Sequence, residues 1–295
     1  MRRLGVIGYP IKHSISPAFQ QAALDALGIA ARYERYEVSP QDLSSFLGGV
    51  RGGEWMGVNV TIPHKQAVMS LLDEVEPLAA AIGSVNSVVR RDSGDLWGCS
   101  TDVSGFVSAL EETGYSVEDS RAVVLGTGGT ARAVLAALLQ NGAASVTVLG
   151  RSLERGQELL ECMAQLPFDT AGTTLDTTRW DLDDPAFNPE SLTDLLWNSN
   201  LLVNTTPFGM VGGPEEGESP LPTFLLHPNL TVFDAVYNPI QTPLLERARA
   251  RRARVVSGLE MLVYQGAASF KLWTGEDAPI DVMKKAAREA LEGYR

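Results

Sequence analysis

The chain has few of the residues from which metal centres and disulfide frameworks are built. Its 295 residues include two cysteines, Cys99 and Cys162, which form no C-x-x-C pattern, and three histidines that are far apart. Structural zinc sites need four cysteine or histidine ligands, and disulfide-stapled folds need more cysteines than this. We therefore expect no metal site and no disulfide framework.

Clustered positive charge and long apolar runs are also scarce. The formal net charge is -12, which argues against nucleic acid or an anionic membrane surface as a partner, since both require clustered lysine and arginine. No apolar run approaches the length that spans a membrane, and residues 1–8 turn polar too quickly for a signal peptide. We expect a soluble cytoplasmic protein.

The composition is typical of a globular protein, with 44% hydrophobic and 20% charged residues, and the chain is long enough for two domains. Short apolar runs typical of buried strands alternate with segments of helical periodicity. This alternation predicts an α/β fold with a largely parallel sheet in the N-terminal part. A second alternating unit starts after Gly114.

One predicted strand ends in polar groups that could act on a small molecule. The run over residues 56–60 predicts a buried strand that stops at Thr61 and continues as a helix, with Pro63 in its first turn. Open α/β sheets bind ligands at this edge. The Asn59 amide, the Thr61 hydroxyl and the Lys65 amine suit a polyhydroxylated molecule, with Lys65 as the strong proton-transfer candidate. The alternative is a capped surface turn with a solvated lysine.

Other polar residues also allow two interpretations. Ser14 and Ser16 lie two apart before a helix, so they are either helix caps or hydroxyls that point the same way and grip a carboxylate or diol. Asn86 falls inside a predicted strand and is a structural bridge or a ligand contact. Asp102 opens a predicted helix, which capping would explain. Gln265 lies beside the apolar stripe of a C-terminal helix, more often the place of a core bridge than of a ligand contact.

A buried strand at 122–125 runs into a glycine-rich loop and then a helix. The loop residues are Gly126, Thr127, Gly128, Gly129, Thr130 and Ala131. They form the motif G-x-G-x-x-A in the strand–loop–helix setting that dinucleotide binding requires. The glycines allow a tight turn and the close approach of the backbone to a pyrophosphate at the positive end of the helix.

The next strand ends without the acidic residue that holds the ribose diol of NAD. It is followed by Arg151, Ser152 and Arg155, which suit a 2′-phosphate. NADP is therefore favoured over NAD, although Arg155 could also belong to a solvated helix face. A further, broken strand adds three candidates at the same edge: Thr205, Thr206 and Met210.

Taken in order, these motifs resemble those of the shikimate dehydrogenase family over nearly the whole chain. The matching segments are 13–17 (HSISP), 59–65 (NVTIPHK), 83–87 (GSVNS), 100–106 (STDVSGF), 126–131 (GTGGTA), 204–210 (NTTPFGM), 237–239 (YNP) and 258–265 (GLEMLVYQ). Such an ordered set is far more specific than a lone dinucleotide motif.

The resemblance implies an NADP(H)-dependent oxidoreductase that acts on a CH–OH group. Its reaction would be the reversible reduction of 3-dehydroshikimate to shikimate, in the chorismate pathway to aromatic amino acids. Residues 1–102 with 258–295 would form a mostly parallel α/β substrate domain, and 103–257 a Rossmann-like NADP-binding domain. The active site would lie in the interdomain cleft, and the domains would close on the ligands.

The resemblance also implies roles for individual residues. Lys65 and Asp102 would form the catalytic acid–base pair, and Ser14 and Ser16 would hold the substrate carboxylate. The other implied substrate residues are Asn59, Thr61, Asn86, Tyr237 and Gln265. Besides the loop, arginine and threonine candidates above, the implied cofactor residues include Val236, Gly258 and Met261.

One departure from the family pattern and two alternatives bear on function. Gly150 stands where the family usually has asparagine, so NADP selectivity would depend on Arg151 and Arg155. The nearest alternative is a quinate or dual-specificity dehydrogenase, but the retention of Ser14 and Ser16 favours shikimate. An alternative from another class is a non-catalytic regulator that binds NADP or a metabolite. Monomer and homodimer are both compatible with the sequence.

Overall fold

The structure is a computed structural model that describes residues 1–181, 184 and 187–293. The chain forms two compact units, the first made of Met1–Gly105 with Val263–Arg295 and the second of Phe106–Leu262. The last two residues of the segment 258–295, which the sequence analysis places in the substrate domain, lie outside the described residues. No helix among those described is long and apolar enough to cross a membrane.

Strands and helices alternate along the chain, which confirms the predicted α/β class. The strands are β1 (Arg2–Gly8), β2 (Ala31–Glu37), β3 (Trp55–Val60), β4 (Glu74–Val75), β5 (Ser87–Arg90), β6 (Leu96–Cys99), β7 (Arg121–Leu125), β8 (Ser145–Gly150), β9 (Thr174–Arg179), β10 (Leu201–Asn204), β11 (Thr231–Asp234) and β12 (Arg254–Ser257). The α-helices are α1 (Ser16–Ala26), α2 (Leu43–Val50), α3 (Pro77–Ile82), α4 (Asp102–Glu111), α5 (Gly129–Gln140), α6 (Leu153–Met163), α7 (Thr193–Trp197), α8 (Pro243–Ala250), α9 (Gly258–Thr274) and α10 (Ile280–Glu292). Short 3-10 helices occupy Ala67–Leu71, Pro189–Leu192 and Thr223–Leu225.

The first unit is built on a mixed sheet. Its strand order is β2-β1-β3-β5-β6-β4. β1 runs parallel to β2 and β3, and β4 runs parallel to β6, whereas β5 is antiparallel to both β3 and β6. The chain reverses between β5 and β6 at a turn where Gly94 has φ +95°, a conformation that favours glycine. The sheet is therefore mostly parallel but carries one hairpin.

The second unit is built on a sheet in which every pairing is parallel. Its strand order is β12-β11-β10-β7-β8-β9. The central strands β7, β10 and β11 are almost wholly buried, as parallel strands covered on both faces are, whereas the edge strand β9 has no buried residue. The order reverses between β7 and β10, and ligands of such sheets bind outside the carboxyl ends of the strands at this point.

The segment after β3 differs from the prediction. Residues 61–66 form turns, closed by the His64 N–H on the Thr61 carbonyl oxygen at 2.9 Å, and a 3-10 helix follows. The predicted α-helix with Pro63 in its first turn is therefore wrong. The imidazole of His64 is buried, and its Nε2 lies 2.7 Å from the Val38 carbonyl oxygen. This long-range hydrogen bond holds the turn against the core in place of a regular helix.

A glycine lets helix α9 approach the first sheet closely. A Cβ on Gly57 would meet both the Val88 carbonyl oxygen and the indole nitrogen of Trp273. Because that Cβ is missing, Trp273 Nε1 can donate to the Val88 oxygen at 3.0 Å. Gln265 and Ser269 precede Trp273 at intervals of four residues, so the same face of α9 presents all three side chains to this unit.

Candidate active site

An ion pair follows the carboxyl ends of β3 and β6 in the first unit. Lys65 Nζ donates a hydrogen bond to Asp102 Oδ2 at 2.6 Å. The two side chains are 24% and 11% exposed, so the pair is shielded but still reachable from solvent. Asp102 is the first residue of α4, and the positive end of the helix dipole favours a carboxylate there.

Asn86 binds the other oxygen of the aspartate. Its Nδ2 donates to Asp102 Oδ1 at 2.8 Å and lies 3.2 Å from Gln265 Oε1. Its Oδ1 accepts the backbone N–H of Thr101 at 2.7 Å, which decides which end of the amide faces the carboxylate. Asn86 itself precedes β5 by one residue, and its carbonyl oxygen accepts the Val60 N–H as a sheet residue would. Both oxygens of Asp102 are thus held in defined directions.

Asn59 joins the same hydrogen-bonded group, but its amide is bonded to the protein. Its Oδ1 accepts the Tyr33 hydroxyl at 2.7 Å. Its Nδ2 lies 3.0 to 3.1 Å from the Asn86 carbonyl oxygen, Ser87 Oγ and Ser269 Oγ. Burial raises the pKa of the Tyr33 phenol well above its usual value, so this hydroxyl keeps its proton and donates it to Asn59.

Four members of this group, Tyr33, Ser87, Thr101 and Ser269, are not among the site residues that the sequence predicts. We define the polar cluster as Tyr33, Asn59, Asn86, Ser87, Thr101 and Ser269. Ser269 carries a usable sequence signal, because it follows Gln265 by four positions on a helix. Tyr33 and Ser87 have the pattern of ordinary strand residues, and only the fold brings them to Asn59.

The two N-terminal serines lie at the start of α1. Ile15 between them has φ -91° and ψ 0°, so the segment is not extended and the expected parallel direction of the two hydroxyls does not hold. Ser14 Oγ instead accepts the backbone N–H of Ser16 at 3.4 Å. Thr61 begins the turn after β3, and its backbone N–H donates to the Ile7 carbonyl oxygen at 3.0 Å.

In the second unit the glycine-rich loop connects β7 to α5. Gly126 has φ +104°, and a Cβ there would lie 2.7 Å from Thr205 Oγ1. Apart from neighbouring residues of the chain itself, no described atom lies within 4 Å of the place where Gly128 or Gly129 would carry a Cβ, so the backbone there faces open space. Helix α5, which contains Thr130 in its first turn, has no acidic residue in that turn. Its positive end is therefore available to an anion.

The arginine candidates follow β8 at the same sheet edge. Ser152 caps α6, since its Oγ accepts the Arg155 N–H at 3.2 Å and donates to Glu154 Oε2 at 2.7 Å. The side chains of Arg151 and Arg155 are exposed. The Ser152 hydroxyl thus has a local structural role, while the guanidinium groups of Arg151 and Arg155 are free of the core and accessible to a ligand.

The remaining candidates also follow strands of this sheet or begin α9. Thr205 Oγ1 donates to the Leu125 carbonyl oxygen at 2.6 Å, and Thr206 Oγ1 donates to Asn204 Oδ1 at 2.6 Å. The rest are Met210, which is 37% exposed, buried Val236 and Met261, half-buried Tyr237, and Gly258 at the start of α9.

A buried carboxyl, that of Asp234, binds the side chain of Asn204, which in turn accepts hydrogen bonds from Thr206. Asp234 Oδ1 accepts Asn204 Nδ2 at 2.9 Å, and its Oδ2 accepts Thr242 Oγ1 at 2.6 Å. Burial nevertheless raises the pKa of this carboxyl from 3.8 to about 6. Between those two values the folded protein keeps a proton that the unfolded chain releases. The stabilising contribution of that proton is complete below the lower value and is lost as pH rises through the higher one.

Asp234→Asn should remove this pH dependence. Asparagine has nearly the same shape and does not ionise in this range. We expect the free energy of unfolding of the variant, relative to the unmodified chain, to rise by on the order of 2 kcal/mol from about pH 4 to about pH 7. Urea denaturation across that range measures it, with exposed Asp176→Asn as the matched control. A difference that stays constant with pH would contradict the prediction.

Within the described residues, no group of three or more histidine, cysteine, aspartate or glutamate side chains is placed to hold a metal ion. The first unit offers a paired amine and carboxylate with a set of fixed amides. The second unit offers a glycine-rich loop of the kind that binds dinucleotides.

Comparison with known proteins covers both units. Family models match residues 6–88 (shikimate dehydrogenase substrate binding domain), 108–177 (shikimate / quinate 5-dehydrogenase) and 258–288 (shikimate 5'-dehydrogenase C-terminal domain). Shikimate dehydrogenase (NADP(+)) of Moorella thermoacetica is 42% identical over 288 residues, which are 98% of this chain and 93% of that protein.

Solved structures agree with these sequence matches. Shikimate 5-dehydrogenase from Thermus thermophilus, in complex with NADP(H) and shikimate, has a TM-score of 0.84 at 36% identity and covers 98% of this chain and 100% of its own. Quinate dehydrogenase from Corynebacterium glutamicum, in complex with NAD, has a TM-score of 0.86 at 30% identity, with coverage of 98% and 99%. Identity at this level over the whole chain means that the protein belongs to the shikimate dehydrogenase family.

Proposed function

We propose that the protein is an NADP-dependent shikimate dehydrogenase, which interconverts 3-dehydroshikimate and shikimate. The observation that carries the proposal is the 2.6 Å hydrogen bond between Lys65 and Asp102 in a chain of this family. Oxidation of a secondary alcohol removes a hydride from carbon and a proton from oxygen. A positioned amine beside a carboxylate is suited to move that proton and to stabilise negative charge on the oxygen.

Different groups of the substrate are assigned to different residues, most of them in the first unit. Ser14 and Ser16, at the start of α1, are assigned to the carboxylate, where hydroxyls and backbone N–H groups can donate. Asn86 and Gln265 are assigned to the ring hydroxyls, together with Thr61. Tyr237, which lies in the second unit, is assigned to the substrate on the family pattern alone. Asn59 is close to Asn86, but its bonds to Tyr33 and Ser269 favour a supporting role over direct contact.

The second unit fits a dinucleotide phosphate. The open space at Gly128 and Gly129 and the uncapped positive end of α5 suit a pyrophosphate. Exposed Arg151 and Arg155 suit a 2′-phosphate, since a guanidinium binds phosphate through paired N–H donors. Thr205, Thr206, Met210, Val236, Gly258 and Met261 are assigned to the same cofactor. When bound, NADP(H) supplies or accepts the hydride.

A quinate or dual-specificity enzyme is the second candidate, because a quinate dehydrogenase shares the fold at 30% identity. We expect the NADP-linked kcat/KM for shikimate to exceed that for quinate by roughly 100-fold, because buried polar groups fitted to one ligand reject a poorly matched one. Initial rates of NADPH formation with each substrate test this. Comparable values would identify a dual-specificity enzyme.

The division of labour between the two units is also part of the proposal. The first unit would bind most of the substrate and the second would bind NADP(H). The predicted ranges, 1–102 with 258–295 for the substrate domain and 103–257 for the NADP-binding domain, remain proposals. A cytoplasmic location and a monomer or homodimer remain predictions.

A further inference from the structure

We propose that Ser269 is a positioning residue for the reaction, which acts through Thr101 and Asn86 on the Lys65–Asp102 pair. The inference rests on the function proposed above. Ser269 is not one of the predicted site residues, and its side chain on α9 is fully buried. Its role follows from the directions in which the hydrogen bonds of the polar cluster must run.

The hydroxyl of Ser269 has one proton and two lone pairs. Its proton goes to the Gln265 carbonyl oxygen at 3.0 Å, one helical turn earlier. The lone pairs therefore face donors, and the neighbouring hydroxyls are those of Thr101 at 3.1 Å and Ser87 at 2.5 Å. Asn59 Nδ2 lies 3.0 Å from both serine oxygens, so it can donate to Ser87 Oγ and leave the two lone pairs of Ser269 to the two hydroxyls. The Thr101 proton is then placed on Ser269 Oγ at 3.1 Å, since its other acceptor, Asn86 Oδ1 at 3.2 Å, already accepts the Thr101 backbone N–H.

The direction of the Thr101 hydroxyl decides what Asn86 can do. With its proton on Ser269, Thr101 Oγ1 can accept Asn86 Nδ2, which lies at 3.0 Å. The same Nδ2 group donates its other proton to Asp102 Oδ1 at 2.8 Å. Ser269 therefore turns the Thr101 proton away from Asn86, and the Thr101 oxygen adds a second bond to an amide whose orientation the Thr101 backbone N–H already sets.

Removal of the Ser269 hydroxyl would release this arrangement. The Thr101 proton could turn to Asn86 Oδ1, which is 3.2 Å away, and Thr101 would no longer be pre-set to accept from Nδ2. The Thr101 backbone N–H would still bind Asn86 Oδ1, but Asn86 Nδ2 would be held less firmly, and with it the donor on Asp102 Oδ1. Because the carboxylate orients Lys65, the amine would also be placed less accurately for proton transfer.

An ordinary packing role is the competing explanation, since buried serines in helices often donate to the carbonyl four residues earlier. Thr274 provides a matched control on the same helix. Its Oγ1 donates to the Phe270 carbonyl oxygen at 2.8 Å, and it is no member of the polar cluster. Thr274→Val removes the same kind of hydrogen bond and should leave turnover unchanged.

The test compares kcat and KM of the full-length chain with shikimate and NADP. Ser269→Ala should lower kcat by about tenfold and leave the KM for NADP unchanged, because the lost bond orients groups at the proton-transfer site and not at the cofactor. Thr101→Val should lower kcat similarly. In the double variant the second substitution should add less than about twofold, since both remove the same link.

Several outcomes would overturn the inference. These are an unchanged kcat in Ser269→Ala, an equal loss in Thr274→Val, or losses that multiply fully in the double variant. If Ser269→Ala does not fold, the inference is tested by Thr101→Val alone, and a normal kcat in that variant rejects it. The unmodified chain separates this result from the proposed function. Its failure to oxidise shikimate would reject both, whereas normal oxidation with unchanged variants rejects only the role of Ser269.

Discussion

Lys65→Ala is expected to lower kcat for shikimate oxidation by roughly 10²- to 10⁴-fold, the range usually lost with a general acid–base group. The amine of Lys65 donates to Asp102 at 2.6 Å, and its removal leaves that carboxylate without its cationic partner. The alcohol proton would then have to leave without a positioned amine. The loss should appear in kcat more than in KM, because proton transfer occurs in the transition state.

The same variant separates an enzyme from a regulator. Binding of NADPH, followed by its fluorescence, should be retained, because the cofactor candidates lie in the second unit and Lys65 in the first. Lys285→Ala is the matched control, since Lys285 is a lysine of the first unit with a side chain that is 79% exposed. A non-catalytic regulator would show no shikimate turnover in the unmodified chain. Full activity of Lys65→Ala would show that the ion pair is not the catalytic pair.

Arg151→Ala is expected to raise the KM for NADP by about 100-fold and to change the KM for NAD by less than about threefold. Arg151 is exposed directly after β8, at the carboxyl edge where the adenosine ribose of a bound dinucleotide is held. A guanidinium bonded to a phosphate through two N–H groups contributes about 3 kcal/mol, which corresponds to that ratio. Because NAD has no 2′-phosphate, the substitution should leave the KM for NAD nearly unchanged.

Two further variants sharpen this test. Arg249→Ala, at an exposed position on α8, removes the same charge elsewhere in the second unit and should leave both KM values unchanged. Arg155→Ala should have a smaller effect in the same direction if it also meets the phosphate, and none if it belongs to a solvated helix face. Equal changes in KM for NADP and NAD would show that Arg151 does not bind the 2′-phosphate.

Much of the fold could be predicted because its signals are local. The strand–loop–helix pattern around Gly126 specifies a dinucleotide loop through steric and dipole effects that act over a few residues. The two arginines after β8, one just before α6 and one in its first turn, are likewise a local feature of the sequence. The failure at residues 61–66 has the opposite origin, because the bond from His64 to the Val38 carbonyl oxygen overrides the helical preference that Pro63 suggested.

The sequence by itself therefore determined the α/β class, and it supplied the residues of the proposed cofactor loop and of the proposed acid–base pair. Only the tertiary structure decided how those residues are held. Asn59 meets Tyr33 across 26 positions, Ser87 across 28 and Ser269 across 210. No local pattern marks such pairs, since a buried amide can pair with any donor or acceptor that the fold brings to it. The use of Asn59 as a support, and of Ser269 as the group that sets the direction of a hydrogen-bond chain, exists only once α9 packs on the first sheet.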